Sequence, residues 1–436
     1  MSEYDILKAK DFTSREELEA LQLKRLKAVV ENCYNSVPLF KERMDAKGCK
    51  PSDIKSLADL KLLPFTQKSD LRDTYPWGLF AKPLKDVVRL HASSGTTGKP
   101  IVVGYTQSDL EVFKEVVARS LISCGLTSSD IVQVCYGYGM FTGGLGAHYG
   151  AEKLGATVIP SGTGNSERQI MFLQDFGSTA ICCTPSYFVH LIEKIQEANI
   201  DFKDLNLKAG IFGAEPWTLK MREYIESVAG IKAYDIYGLT EIIGPGVAIE
   251  CECQNGFHVF EDHFLVEVIN PDTGEAVADG EEGELVFTTL TKEAFPMIRY
   301  RTHDLTSIIP GTCSCGRTLK RFNRIRSRCD DMLIIRGVNL FPSQIEHAIL
   351  SVKKNLTNYQ IIVETKKNLD YIEVLVEVTP DIFSDQIGEL ENIRAAISHA
   401  IFNTVSLHIP VKLVEPGSIE RSVGKAKRVI DKRKQA

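Results

Sequence analysis

The chain has 436 residues, of which 44% are hydrophobic and 25% charged, which is typical of a globular protein rather than a disordered one. Its formal net charge of -6 gives no general attraction for nucleic acid or for an anionic membrane, so neither is expected as a partner. Because a single core stops growing at about 250–300 residues, a large domain and a smaller one are predicted.

The N-terminus, MSEYDILKAKDF, is charged and has no apolar leader segment. No apolar run approaches the roughly 20 residues of a membrane-spanning helix. The eleven cysteines are therefore expected as free thiols or metal ligands in a reducing compartment, and the protein is expected in the cytoplasm.

The first predicted element is an amphipathic helix over residues 14–33, which starts at a capping box formed by Ser14 and Glu17. From about residue 87 to 270, apolar runs such as IVQVCY alternate with helix-like stretches at 107–123, 166–175 and 186–198. This alternation predicts an α/β sheet region.

The pattern changes to strands and turns over residues 264–310, which predicts an antiparallel section. After residue 330 the sequence predicts a compact α+β unit with a helix at 342–352, strands at 359–365 and 371–379, another helix and a last strand, VKLVEP. The predicted fold class is α/β, with a large N-terminal α/β domain that includes β subdomains over residues 1–329 and a small α+β domain over 330–436.

A candidate phosphate-binding loop lies between the apolar stretches VVRLH and IVVGYT. Small residues let backbone N–H groups approach a polyphosphate, hydroxyls add donors and a lysine adds charge. The spacing excludes a G-x-x-x-x-G-K-[ST] loop, and a flexible surface hairpin is the alternative interpretation. The loop comprises Ser93, Ser94, Gly95, Thr96, Thr97, Gly98 and Lys99, followed by Pro100.

Further motifs follow in a fixed order along the chain. They are Gly213-Ala214-Glu215-Pro216, Asp235-Ile236-Tyr237-Gly238-Leu239-Thr240-Glu241, Tyr300-Arg301-Thr302-His303-Asp304, Arg328-Cys329-Asp330-Asp331, Arg336-Gly337-Val338-Asn339-Leu340-Phe341-Pro342 and Arg421-Ser422-Val423-Gly424-Lys425. Together with the 93–99 loop, this set resembles the phenylacetate-CoA ligase family, within the adenylate-forming superfamily of acyl-CoA synthetases, adenylation domains and luciferases. The resemblance runs nearly end to end, and the joint order of the motifs makes coincidence remote.

The resemblance implies an ATP-dependent acid:coenzyme A ligase that forms an acyl-adenylate and pyrophosphate, then acyl-CoA and AMP. It implies ATP and AMP binding by the 93–99 loop, by Gly213 to Pro216, by Asp235, Ile236, Tyr237 and Gly238, and by Asp304 and Arg328. Asp304 is expected to accept hydrogen bonds from both ribose hydroxyls.

The resemblance also assigns roles in catalysis and domain movement. Glu241 with Thr240 would hold Mg²⁺, and Lys425 would bridge the carboxylate and the α-phosphate. Asp330 would be the hinge of a mobile C-terminal domain that admits coenzyme A. A homodimer would suit the family.

The segment from Tyr136 to Gly144 has aromatic residues spaced by glycines, which would let a flat ring approach closely. In the resembled family this segment borders the aryl group, so the predicted acyl pocket contains Tyr136, Tyr138, Phe141 and Gly143. Phe141 is the first choice for ring contact. Phenylacetate is the natural candidate substrate, and indoleacetic, hydroxyphenylacetic and benzoic acids stay open as alternatives. The alternative interpretation of the segment itself is a glycine-rich turn with packed aromatic side chains.

Thiol and imidazole side chains cluster in two segments, Cys251 to His258 and Cys313 to Cys315. Four such ligands suit tetrahedral zinc, and no open position is implied, so a structural site is favoured over a catalytic one. The chosen ligands are Cys251, His258, Cys313 and Cys315, with Cys253 as the spare. Free thiols are the alternative.

Two other functions stay open at this point. The same motifs would serve an enzyme that passes its acyl group to a carrier protein instead of coenzyme A, although no carrier-like domain is fused here. A zinc-ribbon-like binding module with a degenerate nucleotide site is a different class, which the acidic charge and the complete motif set disfavour.

Overall fold

The computed structural model describes residues 2–93, 100–325, 327–328, 333–335, 338–366, 369–380, 382, 387–405, 407–421 and 426–433. The α-helices in this part of the chain are α1 (Glu3–Ala9), α2 (Arg15–Ser36), α3 (Pro38–Ala46), α4 (Lys68–Asp73), α5 (Gln107–Ser123), α6 (Thr142–Leu154), α7 (Ser166–Asp175), α8 (Pro185–Glu197), α9 (Leu219–Ala229), α10 (Pro342–Val352) and α11 (Ile387–Val405). None of these helices combines the length and apolar character that a membrane crossing requires.

The strands are β1 (Arg89–Ala92), β2 (Val102–Tyr105), β3 (Ile131–Val134), β4 (Thr157–Ile159), β5 (Ala180–Cys183), β6 (Ala209–Gly213), β7 (Lys232–Leu239), β8 (Gly244–Glu250), β9 (Phe257–Val259), β10 (Phe264–Ile269), β11 (Gly283–Thr289), β12 (Tyr300–Thr306), β13 (Ile308–Ile309), β14 (Arg321–Phe322), β15 (Ser327–Arg328), β16 (Leu333–Ile335), β17 (Val338–Leu340), β18 (Tyr359–Lys366), β19 (Leu369–Glu377), β20 (Val411–Val414) and β21 (Val429–Asp431).

The centre of the large domain is a nine-stranded sheet in the order β13-β14-β9-β8-β7-β6-β5-β3-β4. Strands β7, β6, β5, β3 and β4 run parallel, whereas β8 pairs antiparallel with β7. Cys182 of β5 packs in the core that holds α5 and α6, and its neighbour Cys183 packs in the core that holds α7, α8 and α9. Because both faces are covered by helices, the strand reads as a continuous apolar run.

The antiparallel section predicted after residue 264 is confirmed. Strands β10, β11, β12 and β15 form a second sheet in that order, and Asp304 of β12 lies opposite Arg328 of β15. This pairing places the carboxylate of the predicted ribose site beside the last described residue before the predicted hinge.

The small α+β unit predicted after residue 330 is also confirmed. Its sheet has the order β20-β19-β18-β21, α10 and α11 contact each other, and a hydrophobic core of its own extends from Leu333 to Val411. Residues 329 and 330 lie outside the described residues, so the domain boundary and the hinge at Asp330 stay predictions.

The predicted helices agree closely with the structure, but the sequence pattern did not predict a strand in the C-terminal tail. The helices at 107–123, 166–175 and 342–352 have the predicted bounds. Helix α2, which corresponds to the helix predicted over residues 14–33, has Ser14 as its N-cap, and the Ser14 hydroxyl accepts from the Glu17 N–H. The basic tail after Arg421 carries an unpredicted strand, β21, which pairs parallel with β18. A three-residue strand among lysines and arginines has too short a pattern to be recognised from sequence.

Candidate active site

The predicted site residues gather at the carboxyl ends of the parallel strands, where open α/β sheets bind their ligands. Tyr136 lies just beyond β3, the 213–216 segment lies at the end of β6, and Gly238 to Glu241 lie at the end of β7. Separate motifs of the sequence therefore meet along one edge of the sheet.

The phosphate loop candidate begins on a hairpin. Strands β1 and β2, which come from the apolar stretches on either side of the loop, pair antiparallel with Ala92 opposite Val102. The Ser93 N–H donates to the Ile101 carbonyl at 2.9 Å, and the Ser93 hydroxyl accepts from the Ile101 N–H at 3.0 Å. Ser94, Gly95, Thr96, Thr97, Gly98 and Lys99 lie outside the described residues.

The segment from Gly213 to Pro216 leaves β6 through a restricted backbone. A Cβ atom on Gly213 would lie 2.6 Å from the carbonyl oxygen of Ile236 on the next strand, so only glycine fits there. Ala214 has φ of +70°, a left-handed conformation that costs a non-glycine residue about 1–2 kcal/mol. The Glu215 carboxylate then accepts backbone hydrogen bonds from Ser186 at 2.8 Å and from Ala426 at 2.9 Å.

The end of β7 brings Glu241 into the site. Gly238 packs so closely on β8 that a Cβ atom would lie 1.9 Å from the Gly244 oxygen, which lets the chain turn toward Thr240 and Glu241. Glu241 is buried, and Thr240 is half-buried. Burial and then the nearby Glu241 charge raise the pKa of the Tyr300 hydroxyl, so Tyr300 stays protonated beside this carboxylate.

Asp304, Tyr237 and Arg328 form a hydrogen-bonded group although they come from three separate strands. The Tyr237 hydroxyl donates to Asp304 Oδ2 at 2.5 Å, and Arg328 Nη1 donates to Asp304 Oδ1 at 3.0 Å. A carboxylate is an acceptor-only group with about four lone-pair sites on its two oxygens. The buried Asp304 is thus held by a neutral donor and a cationic one.

Asp235 belongs to a buried charged cluster beneath the 213–216 segment. Arg324 Nη2 lies 3.1 Å from Asp235 and donates to the Trp217 carbonyl at 2.8 Å. Burial raises the pKa of Asp235 to about 7, although the Arg324 charge opposes that rise. Arg324 is a site residue that could not be predicted, because it belongs to no sequence motif and its contacts depend on the tertiary fold.

The predicted acyl-pocket residues separate in the structure. Tyr136 and Gly143 line an apolar cavity of about 10 Å³, whose other walls are Val117, Leu121, Ala147, Cys182, Ile211, Ile236 and Pro245. Tyr138 is half-buried, and its hydroxyl contacts His148 Nδ1 at 3.2 Å. Phe141, the first choice for ring contact, is 51% exposed and is not among the cavity's lining residues.

The Tyr136 side chain forms one wall of this cavity. Its hydroxyl donates to the Cys183 carbonyl at 2.6 Å, and burial raises its pKa, so the phenol stays neutral. A Cβ atom on Gly143 would meet the Tyr136 ring at 3.5 Å, which is ordinary contact. The cavity therefore presents an apolar surface to a ligand.

The four predicted metal ligands come together. Their ligand atoms lie within 4.8 Å of one another in the group Cys251, His258, Cys313 and Cys315. The Cys251 and Cys313 sulfurs are 3.8 Å apart, and Cys315 Sγ is 3.5 Å from His258 Nε2. Cys253 is exposed and accepts a hydrogen bond from Ser314 instead.

These spacings fit a tetrahedral metal ion. Zinc–sulfur bonds of about 2.3 Å at tetrahedral angles separate two sulfurs by about 3.8 Å, and a sulfur and an imidazole nitrogen by about 3.5 Å. A disulfide would need about 2.05 Å between sulfurs, far less than the separation found. Burial, followed by the Arg317 and Arg321 charges, lowers the pKa of His258 to about 3, so the imidazole is neutral.

Lys425, the predicted adenylation lysine, lies outside the described residues. The next residue, Ala426, is described. Ala426 belongs to the small domain and contacts Glu215 of the large domain. Other described contacts between the domains include Lys354 to Glu223 at 3.0 Å, Asn358 to Glu193 at 3.3 Å and Arg421 to Glu193 at 3.9 Å. The small domain therefore lies against the face that carries the nucleotide motifs.

Comparison with known proteins yields consistent matches. The model of the AMP-binding enzyme family matches residues 12–290, and that of the AMP-binding enzyme C-terminal domain matches residues 337–433. A phenylacetate-coenzyme A ligase from Aromatoleum evansii is 51% identical over 423 residues, which cover 96% of each chain.

Solved structures of one relative match in different states. A crystal structure of 2-hydroxyisobutyryl-CoA ligase in the postadenylation state with R3-HIB-AMP is 29% identical, with a TM-score of 0.91 over 98% of this chain and 92% of that chain. The same ligase with 2-HIB-AMP and CoA in the thioesterification state is 30% identical, with a TM-score of 0.72 over 97% and 91%.

Proposed function

The chain belongs to the AMP-binding enzyme family and, within it, to the phenylacetate-CoA ligases, and we propose that phenylacetate is its acid substrate. As a member of this family it is an adenylate-forming acid–thiol ligase. The acid's carboxylate attacks the α-phosphate of ATP and pyrophosphate leaves; the thiol of coenzyme A then attacks the acyl carbon and AMP leaves.

The observation that carries the nucleotide assignment is the group formed by Asp304, Tyr237 and Arg328. Its carboxylate is buried and accepts hydrogen bonds from Tyr237 and Arg328, and a fixed carboxylate is an acceptor that suits the two ribose hydroxyls of ATP. The 213–216 segment lies at the neighbouring strand end and is proposed to contact adenine, with Asp235 and Arg324 supporting it from below.

Charge compensation is the main demand of the first step, because two anions must meet. Glu241 with Thr240 would hold Mg²⁺, which would neutralise charge on the phosphates, and the buried Glu241 carboxylate is the hard oxygen ligand that this ion prefers. The 93–99 loop is proposed to cradle the β- and γ-phosphates, and Lys425 to bridge the reacting oxygens.

The acyl pocket is proposed to include the apolar cavity between Tyr136 and α6. Every side chain that lines it presents carbon, sulfur or an aromatic ring, so an unsubstituted phenyl group suits it better than an aliphatic acid with polar substituents. Benzene binds in protein cavities of about 150 Å³, so acid binding must widen this one by moving Tyr136 or the start of α6.

The domain arrangement supports the adenylation half-reaction. The same relative matches with a TM-score of 0.91 in its postadenylation state and 0.72 in its thioesterification state. We infer that the small domain, residues 330–436, rotates relative to the large domain, residues 1–329, before coenzyme A reacts. The rotation would take place about Asp330. The Ala426–Glu215 and Lys354–Glu223 contacts would break in that rotation.

The four-ligand cluster is proposed to hold structural zinc. Cys251, His258, Cys313 and Cys315 complete a tetrahedron among themselves, and their segments lie far apart in sequence, so the ion would tie two loops together.

Ten free cysteines among the described residues support a reducing compartment, which agrees with the cytoplasm. A homodimer stays a prediction.

The test is acid-dependent ATP–pyrophosphate exchange, followed by thioester formation with coenzyme A. Phenylacetate is expected to give the highest kcat/KM, ahead of hydroxyphenylacetate, indoleacetate, benzoate and hexanoate. Exchange without thioester formation would instead favour an enzyme that loads a carrier protein. Failure to bind ATP would contradict the ligase itself.

A further inference from the structure

We propose that Glu215 is a positioning residue, which holds Ala426, the residue that follows Lys425, against the large domain during adenylation. Its carboxylate joins the two domains through backbone hydrogen bonds, one on each oxygen. The proposal rests on the proposed function, in which Lys425 acts in the first half-reaction.

On the large domain, Glu215 is bound to the start of α8. Its Oε1 accepts from the Ser186 N–H at 2.8 Å, and Ser186 is the second residue of that helix. The first turn of a helix has N–H groups without partners in the helix, and its partial positive charge favours a carboxylate. One oxygen of Glu215 is therefore held by the rigid sheet-and-helix layer.

On the small domain, the other oxygen holds a backbone that is itself fixed. Glu215 Oε2 accepts from the Ala426 N–H at 2.9 Å. Two residues later, the Arg428 carbonyl accepts from Ile361 of β18 at 2.8 Å, and β21 then pairs with the same strand. Ala426 directly follows Lys425 in the sequence, so these contacts fix the residue next to the proposed adenylation lysine.

The local backbone supports a function for this side chain. Ala214, directly before Glu215, has φ of +70°. Strain of this kind is retained mainly where a functional site requires it. With both oxygens bound to main-chain N–H groups of separate domains, the carboxylate is expected to act on the lysine segment rather than on the base of ATP.

The experiment compares Glu215→Gln with Glu223→Gln in both half-reactions. The amide keeps the shape of Glu215 but offers one acceptor oxygen, so one of the two N–H groups loses its partner. Since a misplacement of about 1 Å can cost about 10²-fold, kcat for ATP–pyrophosphate exchange should fall by about 10–100-fold. The KM for ATP, and thioester formation from supplied acyl-adenylate, should stay within about twofold.

Glu223→Gln is the matched control, because it removes another domain-bridging carboxylate. Glu223 pairs with Lys354 at 3.0 Å, but both side chains are 56% exposed, so the pair contributes little. Both half-reactions should stay near the wild-type rate. Thioester formation also reports whether each variant is folded.

Two results would overturn the proposal. An equal loss of both half-reactions would mean a general structural role, and a raised KM for ATP with unchanged kcat would mean a nucleotide contact. In a Lys425→Ala background, Glu215→Gln should add no further loss, and an additive loss would count against it. If Lys425→Ala itself left exchange unchanged, the proposed role of that lysine would fail, whatever Glu215 does.

Discussion

Arg328 donates a hydrogen bond to Asp304 at 3.0 Å, and the two residues lie opposite each other in β15 and β12. Arg328 precedes the predicted hinge residue, Asp330, by two positions. The carboxylate proposed to bind ribose is therefore bound to a residue two positions before the predicted hinge, so one hydrogen bond would connect the proposed ribose site to the start of that hinge.

Asp304→Asn should weaken ATP binding with little change in fold. The amide loses one acceptor oxygen and the negative charge, and hydrogen bonds to charged groups contribute about 1.5–3 kcal/mol each. The KM for ATP in pyrophosphate exchange should rise about 10–100-fold. Asp272→Asn, at an exposed turn, is the control and should leave this KM unchanged. An unchanged KM in Asp304→Asn would remove Asp304 from the nucleotide site.

Gly143 and Gly144 are adjacent in α6 but should respond differently to alanine. At Gly143 a Cβ atom would meet the Tyr136 ring at 3.5 Å, whereas at Gly144 it would lie 2.4 Å from the Gly137 oxygen. Gly143→Ala should keep or raise the Tm, because alanine favours a helix by about 1 kcal/mol over glycine, and should raise the KM for phenylacetate because it narrows the cavity.

Gly144→Ala should lower stability by about 1–3 kcal/mol, because the overlap with the backbone must be relieved by movement. Thermal unfolding and the KM for phenylacetate distinguish the two variants. A Gly143→Ala enzyme with an unchanged KM for the acid and an unchanged preference among aryl acids would place the acyl pocket elsewhere.

The features that sequence predicted well have local signals. Thr106 caps α5 and Ser14 caps α2, and each stands directly before a helical pattern. The contacts that sequence could not predict are distant: Glu215 and Ala426 are 211 residues apart, and Arg324 reaches Trp217 across 107. The exposure of Phe141 is also a property of the fold that its motif does not reveal, and its contact with the aryl ring stays a prediction.

Purified protein should contain about one equivalent of zinc, and Cys313→Ser should lose it. Cys313 is buried 3.8 Å from Cys251, and a serine hydroxyl is a poor replacement for a thiolate ligand. Because a structural metal stabilises the folded state, the variant should also show a lower Tm, as should the wild type after chelation. Metal analysis by mass spectrometry and thermal unfolding measure both effects.

Cys253→Ser is the control for the metal site. Cys253 is exposed and stands outside the four-ligand group, so this variant should keep its zinc and its Tm. Zinc below about half an equivalent, together with a fully stable Cys313→Ser, would mean that the cluster holds free thiols.

A buried charged network joins the N-terminal residues Lys10 and Asp11 to the rest of the large domain. Arg119 is fully buried and pairs with Asp11, Asp262 and Glu115. Glu115 also contacts His263 at 3.3 Å and Lys10 at 2.6 Å. Burial alone would raise the pKa of Glu115, but His263, Lys10 and Arg119 lower it to about 2.

This network should make stability fall with acid in a way that depends on Glu115. A carboxyl group whose pKa falls from 4.5 to about 2 on folding stabilises the protein above pH 4.5, and that stabilisation is lost as the pH falls toward 2. It amounts to at most about 3 kcal/mol. Glu115→Gln should therefore be less stable than wild type at pH 7, and in urea unfolding the two should converge as the pH falls from 4.5 toward 2. A difference independent of pH would mean that Glu115 contributes by packing and not by its charge.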